Sequence, residues 1–461
     1  MVKILRLFAA LAMLVFVLAA CGGAPAAQPT SAPAAQPTAA PVAEAPTATP
    51  PVAAVSPEGR TVVRFWYGLG GQIGEVIVEQ IAKFNASQDE IFVEGVFQQS
   101  YNGVQEKFQA ALVSGDVPEI IQIEIHGTPK FASAGALTPL EPFYQNDPDF
   151  NFDDLVPAGL LNQRWEGQLY AMPINRSTPV LYYNKALFRE AGLDPEQPPA
   201  TWTEFREAAR KIAQLTTPDG EPVAGFLAAS SWWYFESMIW SNGGEIMNAD
   251  LTDVTFAERG AEPLQLWTDM IHQDQSARFY TGDQAYTQML EAFANGRGGM
   301  MFQSTASLGG VLRAIEAAGN KAELSTAFMP HSEGFSTAVP TGGAAAAIPA
   351  AVPDEKKAAA WEFIKWWISP EENAYWSEKT GYFPVRYSSI KILEEQGYYA
   401  DRPYFYTTIE QLQFAREAPL TPFWPAISKE MQTAMEESML NNVPAIDALR
   451  AAEERARDAL E

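Results

Sequence analysis

The stretch STPVLYYNKALFREAGLDPEQPPATW, residues 177–202, decides how this chain is interpreted. Its β-branched and aromatic run at residues 179–183 predicts a strand. Asn184 can cap a short helix that ends before Gly192. The prolines that follow predict a rigid turn, after which Thr201 can cap another helix. The stretch therefore predicts a strand and two helices joined by a rigid turn.

The chain before this stretch alternates in the same way. Residues 61–67, 91–97 and 120–125 predict strands, and apolar residues at helical spacing predict helices between them. Strands that alternate with helices imply a mostly parallel sheet with helices on both faces. Ligands bind such sheets beyond the carboxyl ends of the strands, and the Tyr101 region and the corner at residues 124–128 fall there.

Residues 177–202 resemble, nearly residue for residue, the crossover segment of the glycerol-3-phosphate-binding proteins of ABC importers. These belong to a larger group of solute-binding proteins that includes the maltose and other sugar binders. Thr341-Gly342-Gly343 before AAAAIPA resembles the family's second crossing, and KTGYFPV at residues 379–385 resembles its next signature. The resemblance implies an α/β, two-lobed periplasmic-binding-protein fold (type II). Each lobe would be a mainly parallel sheet flanked by helices, joined to the other by hinge crossings.

The resemblance also implies that both lobes are discontinuous in sequence. We expect the first lobe at residues 59–173 and again at 342–399. The second lobe is expected at residues 174–341 and 400–461.

Residues 1–20 predict a secretory signal, because Lys3 and Arg6 precede an apolar run too short to span a membrane. The run closes with LAAC, which resembles the lipoprotein cleavage box and implies lipidation of Cys21. Cys21 is the only cysteine of the chain, so no intrachain disulfide can form. An ordinary signal peptide is the alternative. Residues 21–58, rich in Ala, Pro and Thr, predict an extended tether.

The chain is strongly acidic, with a formal net charge of −25. Removal of the signal peptide removes Lys3 and Arg6 and no acidic residue, so the net charge of the mature chain becomes −27 instead of −25. This charge argues against nucleic acid or an anionic membrane surface as a partner. An anionic ligand would need a locally positive pocket.

The family's ligand-binding residues match this sequence at several positions. The resemblance implies hydrogen bonds from tyrosine and serine hydroxyls, a backbone approach at glycine and a tryptophan wall. The matching residues are Tyr101, Ser177, Trp232, Ser304, Gly343 and, less directly matched, Gly342, together with Tyr382. We expect Tyr101, Gly343 and Tyr382 from the first lobe and the others from the second lobe or its hinge. Taken singly, the serines could be caps, the aromatic residues packing and the glycines a turn.

Two departures from the family concern the ligand. The family's carboxylate should fall near Ile125, but Glu124 stands one position earlier, and an offset of one residue reverses the face of a strand. The family's phosphate-binding arginine is replaced by Ser428. Either Arg176 or Lys429 replaces it, or phosphate recognition is lost. Arg176 could instead be a surface residue. Trp424 resembles the aromatic residues that stack on sugar rings in sugar-binding relatives.

These observations predict the extracytoplasmic, lipid-anchored binding protein of a bacterial ABC importer. It would close on glycerol-3-phosphate, a glycerophosphodiester or, alternatively, a neutral sugar or oligosaccharide. The implied partner is a permease heterodimer with its ATPase, and we expect a monomer without cofactor or metal.

A chemosensory receptor would share the fold. A secreted glycosidase is the enzymatic alternative, because acidic residues are plentiful. His126, beside Gly127-Thr128, could approach the cleft, but we interpret it as a surface histidine.

Overall fold

The computed structural model describes residues 58–282 and 284–460. The predicted signal, Cys21 and nearly all of the predicted tether lie outside the described residues. Within them, no helix combines the length and the apolar composition that crossing a membrane requires.

Strands and helices alternate through the first half of the described chain, as the sequence predicts. The strands are β1 (Thr61–Tyr67), β2 (Ile91–Phe97), β3 (Ile120–Glu124), β4 (Arg164–Trp165), β5 (Gln168–Leu169), β6 (Ala171–Ser177), β7 (Pro179–Asn184), β8 (Ala224–Ala229), β9 (Ala277–Tyr280), β10 (Gly298–Ser304), β11 (Leu324–Ala327), β12 (Val339–Pro340), β13 (Gly342–Ala347) and β14 (Ala415–Arg416). The helices are α1 (Gly71–Ser87), α2 (Tyr101–Ser114), α3 (Gly127–Ser133), α4 (Glu141–Tyr144), α5 (Pro157–Leu160), α6 (Lys185–Glu190), α7 (Trp202–Ile212), α8 (Trp232–Trp240), α9 (Ala257–His272), α10 (Ala285–Ala294), α11 (Leu308–Ala317), α12 (Asp354–Trp367), α13 (Pro370–Thr380), α14 (Tyr387–Glu395), α15 (Tyr398–Asp401), α16 (Pro403–Gln411), α17 (Trp424–Asn441) and α18 (Ala445–Asp458).

Two five-stranded sheets define the two lobes. The first sheet has the order β2-β1-β3-β13-β6, and the second has the order β11-β7-β10-β8-β9. In the first sheet β13 runs antiparallel to both of its neighbours, and in the second β7 does the same. The remaining strands of each sheet share one direction, so the prediction of mainly parallel sheets flanked by helices is confirmed. The reversed strands are the two that follow a crossing between the sheets.

Each sheet has a hydrophobic core on both faces. In β1, Phe65 packs into a cluster with helices α1 and α12, and the adjacent Trp66 packs against a cluster beneath α2 and α3. In β7, Leu181 and Tyr182 likewise belong to different clusters. This alternation follows from the two-residue period of a strand covered on both faces.

The predicted helix starts around β7 are confirmed. The Asn184 side chain accepts a hydrogen bond from the backbone N–H of Ala186 at 3.1 Å. Thr201 and Glu204 form a reciprocal capping box at the start of α7. These caps satisfy backbone donors that the first helical turn leaves without partners.

The first crossing lies at Thr178, between the end of β6 in the first sheet and the start of β7 in the second. The sequence placed it after residue 173. The strand continues further because Ser177 and Arg176 pair with Gly342 and Gly343 of β13. The second crossing, between β12 and β13 at Thr341, coincides with the expected boundary.

Candidate functional site

The carboxyl ends of strands from both sheets meet around an inner chamber of about 280 Å³. Its lining residues are Tyr101, Glu124, Ser177, Ser231, Trp232, Trp233, Ser304, Gly342, Gly343 and Tyr382. The structure thus brings together the tyrosines, serines, glycines and Trp232 that the sequence proposed as a ligand site. Their contact with a ligand stays a prediction.

The position of each wall residue follows from the local fold. Glu124 ends β3, Ser177 ends β6 and Ser304 ends β10. Trp232 begins α8, and Tyr101 begins α2 directly after Ser100. The Ser100 hydroxyl fixes this helix start, because it accepts a hydrogen bond from the Gly103 N–H at 3.0 Å.

A chain of buried amides holds the two tyrosines of the inner chamber. The Asn175 side-chain amide donates to the Tyr101 hydroxyl at 2.8 Å, and Gln122 donates to Asn175 at 2.9 Å. The Tyr101 and Tyr382 hydroxyl oxygens lie 3.4 Å apart. Burial raises the pKa of both phenols, so both keep their protons at neutral pH and can donate to a ligand. Asn175 and Gln122 were missed, because nothing in a single sequence separates them from other polar residues in strands.

Glu124 lies on the wall of the inner chamber, contrary to the expectation from strand alternation. It is the last residue of β3, and the following Ile125 is fully buried. The Glu124 carboxylate accepts hydrogen bonds from the His126 backbone N–H at 3.0 Å and from His126 Nδ1 at 2.8 Å. The alternation rule stops applying where the strand ends, and the turn that begins there carries the donors that orient the carboxylate.

Arg176 is completely buried at the first crossing, so its interpretation as a surface arginine was wrong. Its Nη2 donates to the Leu161 carbonyl oxygen at 3.1 Å and to the Thr341 hydroxyl. Burial lowers the pKa of the guanidinium to about 9, against the effects of Glu124 and Tyr101, and leaves it charged at neutral pH. Arg176 is not among the residues that line the inner chamber. Its role in phosphate binding stays a prediction.

An outer chamber of about 530 Å³ shares Tyr101, Glu124 and Trp232 with the inner chamber. Helix α2 contributes Glu106, and α3 contributes Lys130. The other lining residues are Ser100, Asn102, Gln105, Gln109, His126, Gly127, Trp424, Pro425 and Ser428. Ser428, which stands where the family has its arginine, therefore borders the outer chamber, and its hydroxyl donates to the Pro425 carbonyl oxygen at 3.3 Å.

Trp424 and His126 contact each other from opposite lobes. Their rings stack at a centroid distance of 4.7 Å and an interplanar angle of 8°. Only 2% of Trp424 and 4% of His126 is exposed, so the interpretation of His126 as a surface residue was wrong. One face of the Trp424 indole is thus covered by an imidazole. In this conformation that face is not available to a sugar ring.

A larger cavity of about 700 Å³ lies elsewhere in the second lobe, between the turn at residues 216–219 and residues 295–297. None of the predicted ligand residues lines it. In the described part of the chain, no group of three or more His, Cys, Asp or Glu side chains could hold a metal ion.

Comparison with known proteins gives a consistent family. Residues 79–401 match the family model described as bacterial extracellular solute-binding protein. The sn-glycerol-3-phosphate-binding periplasmic protein UgpB of Yersinia pestis is 28% identical over 357 residues, which cover 74% of this chain and 78% of that protein.

Two solved structures share the fold over most of the chain. UgpB from Mycobacterium tuberculosis, in complex with glycerophosphocholine, is 27% identical, with a TM-score of 0.77, and covers 87% of this chain and 99% of its own. The cyclic alpha-maltosyl-1,6-maltose binding protein from Arthrobacter globiformis is 25% identical, with a TM-score of 0.71 and the same coverage of 87% and 99%.

Proposed function

This chain belongs to the bacterial extracellular solute-binding proteins and is the solute-binding component of an ABC importer, and we propose that it binds the neutral, hydroxyl-rich head group of a carbohydrate or polyol between its lobes. The observation that carries this proposal is the charge of the inner chamber. Glu124 is the ionisable carboxyl group of its wall, and none of the described residues that line it is Lys or Arg.

This charge favours a neutral ligand for a simple electrostatic reason. A phosphate dianion beside an ionised carboxylate would be repelled, and the wall presents no cation that could bond it. The charged guanidinium of Arg176 lies behind the wall, where it already interacts with Glu124 and donates to Leu161 and Thr341. A neutral ligand meets no such repulsion. Its vicinal hydroxyl groups can donate hydrogen bonds to the carboxylate, and hydrogen bonds to a charged acceptor are strong. The net charge of −25 acts in the same direction on an approaching anion.

The remaining wall supplies the donors and the apolar surface that such a head group needs. Ser177, Ser304 and the two tyrosines offer hydroxyl groups that both donate and accept. Trp232 and Trp233 offer indole surface to the carbon skeleton of the ligand. A polyol that contacts wall residues of both lobes would bridge the lobes and shift the population toward the closed form.

A glycerophosphodiester is the second candidate, and Lys130 is the observation that favours it. The glycerol end of such a ligand is itself a neutral polyol and would fit the inner chamber. Its phosphodiester would then extend into the outer chamber, which Lys130 borders. UgpB from Mycobacterium tuberculosis, which was solved with glycerophosphocholine, supports the same class of ligand. Glycerol-3-phosphate itself is less favoured, because its dianion would lie closer to Glu124.

We further propose that the protein binds without turnover, acts as a monomer and docks on a permease heterodimer energised by its ATPase. Lipidation of Cys21 would anchor the protein to the cell membrane on its extracytoplasmic side, and the tether would join the anchor to the folded part. Mass spectrometry of the membrane fraction tests the lipid, and product analysis after incubation with each ligand tests for turnover. Released monosaccharide would support the glycosidase alternative instead.

The decisive experiment is parallel calorimetric titration with maltose, sn-glycero-3-phosphocholine and glycerol-3-phosphate. We expect maltose or the phosphodiester to bind, and glycerol-3-phosphate to bind at least roughly tenfold more weakly than the better of the two, which corresponds to about 1.4 kcal/mol. Tight binding of glycerol-3-phosphate would overturn the proposal. If Arg176→Ala then abolished that binding without lowering the unfolding temperature, the missing arginine would be replaced from the hinge.

A further inference from the structure

The two lobes touch across the cleft through an aromatic contact centred on His126. This residue follows β3 in the first lobe, whereas Trp424 and Trp232 begin helices α17 and α8 of the second lobe. The imidazole lies flat on Trp424 and meets Trp232 edge to face at 5.2 Å and 84°. Trp232 and Trp424 also meet edge to face at 5.6 Å. The contact therefore links one residue of the first lobe to two of the second.

The same imidazole holds the carboxylate of the inner chamber. An ionised carboxylate only accepts hydrogen bonds, so His126 Nδ1 carries the proton that points at Glu124 Oε1, 2.8 Å away. The backbone N–H of His126 holds the other carboxylate oxygen at 3.0 Å. Glu124 thus has its orientation set by a residue whose ring face is in contact with the opposite lobe.

At this aromatic contact the lobes meet through their rings rather than through polar bonds. His126 Nε2 and Trp424 Nε1 are buried and have no hydrogen-bond partner in the described structure. The charged groups that share the outer chamber with His126 are Glu124, Glu106 and Lys130, all of the first lobe. The residues that the second lobe presents there, Trp232, Trp424, Pro425 and Ser428, carry no charge. We therefore expect the contact to be insensitive to salt.

We propose that His126 is a positioning residue that couples the orientation of Glu124 to closure of the lobes on Trp424. When the stack forms, the imidazole is fixed and presents Nδ1–H to the carboxylate. When the lobes separate, the ring loses Trp424 and Trp232 and becomes free to rotate, so Glu124 loses one of its two donors. Loss of the stack would lower the fraction of molecules in the closed form. The apparent dissociation constant would then rise in inverse proportion to that fraction. The affinity part of this inference rests on the proposed function, whereas the closure part does not.

The test is an interlobe distance measured by electron paramagnetic resonance on the full chain without added ligand. Cys21→Ser removes the only cysteine, and Val113→Cys and Leu440→Cys introduce one spin label per lobe. Val113 at the end of α2 is 91% exposed and Leu440 at the end of α17 is 50% exposed, so both accept a label. We expect His126→Ala and Trp424→Leu to shift the distance distribution in the same way and to broaden it.

Conservative variants distinguish coupling from a general loss of structure. His126→Phe and Trp424→Phe keep a stacked ring and should restore the wild-type distribution. His126→Phe should still weaken binding, because phenylalanine lacks the ring N–H that donates to Glu124. The matched control is His331→Ala, which removes an imidazole whose Nδ1 bonds the Ser332 carbonyl oxygen in the second lobe. It should change neither the distance nor the affinity.

Binding supplies the second readout. With whichever of maltose or sn-glycero-3-phosphocholine binds the wild type, His126→Ala and Trp424→Leu should each weaken affinity roughly two- to tenfold, and the double variant by less than the product of the two. An unchanged distance distribution in both single variants, or failure of both phenylalanine variants to restore it, would overturn the proposal. If neither ligand binds at all, the proposed function fails while the distance measurement still decides the role of His126.

Discussion

The inner and outer chambers share three wall residues but are built from different kinds of structure. The inner wall is formed largely by strand ends, with Glu124, Ser177 and Ser304 closing strands of both sheets. The outer wall is formed largely by the first turns of helices and by long polar side chains such as Glu106 and Lys130. Each of these strand ends is held by pairing with a neighbouring strand, whereas long side chains on helices can adopt other rotamers. The inner chamber is therefore suited to selecting a head group, and the outer chamber to accommodating what is attached to it.

The largest effect should follow from adding a side chain to a glycine in the wall of the inner chamber. A Cβ at Gly343 would lie 2.0 Å from the Asn175 carbonyl oxygen, at a φ of +94°. We expect Gly343→Ala to lower the free energy of unfolding by more than about 3 kcal/mol, because clash and left-handed strain add. Urea unfolding measures this. Gly115→Ala is the control, with a φ of +80° and open space at Cβ, and should cost only about 1–2 kcal/mol. Equal losses in both variants would show that the inner wall is adaptable.

The next largest effect concerns the charge that the inner chamber presents. Glu124→Gln should weaken binding of a neutral polyol or sugar roughly ten- to a hundredfold, because hydrogen bonds to a charged acceptor are lost. Glu106→Gln changes the same functional group in the outer chamber and should change affinity by less than roughly threefold. Calorimetric titration compares the two variants. Equal effects would mean that both chambers contact the head group.

A smaller effect is expected from the tryptophan that only the inner chamber contains. Trp233→Ala should weaken binding about tenfold, because it removes indole surface from the ligand. Trp233→Phe keeps much of that surface but loses the bond from Trp233 Nε1 to the Thr341 carbonyl oxygen, 3.2 Å long. If the phenylalanine variant loses as much as the alanine variant, the hydrogen bond at the hinge matters more than the wall.

The smallest effect should appear in the outer chamber and should depend on the ligand. Lys130→Ala should leave maltose affinity unchanged within roughly twofold and weaken sn-glycero-3-phosphocholine about threefold at low salt, because exposed ion pairs are weak and screened. Lys107→Ala removes a lysine of α2 that bonds Gln98 and does not line either chamber. An equal effect of Lys107→Ala would indicate general electrostatics rather than contact.

Local sequence patterns predicted most of the elements that build these chambers. The strands at residues 61–67 and 91–97 have the expected bounds, and Thr201 caps α7 as expected. Such features depend on residues within one or two turns of each other, so the sequence contains nearly all the information that decides them. The resemblance to a known family then supplied the two lobes, which no local pattern could have shown.

The errors lie where the decisive contact is distant in sequence or an element ends. The position of Glu124 was misjudged, because strand alternation was extended beyond the last residue of β3. The first crossing lies later than expected, because β13, far along the chain, pairs with β6 as far as Ser177. Arg176 is buried for the same reason, since Thr341 and Leu161 reach it from other parts of the chain.

By itself, the sequence determined the order of strands and helices, the caps and the set of hydroxyl and aromatic residues available for a ligand. Only the tertiary structure decided that His126 is buried between Glu124 and Trp424. Periodicity and capping reflect interactions between neighbours in the chain. The stacking of two rings from opposite lobes depends on the relative positions of whole sheets, which no stretch of sequence specifies alone.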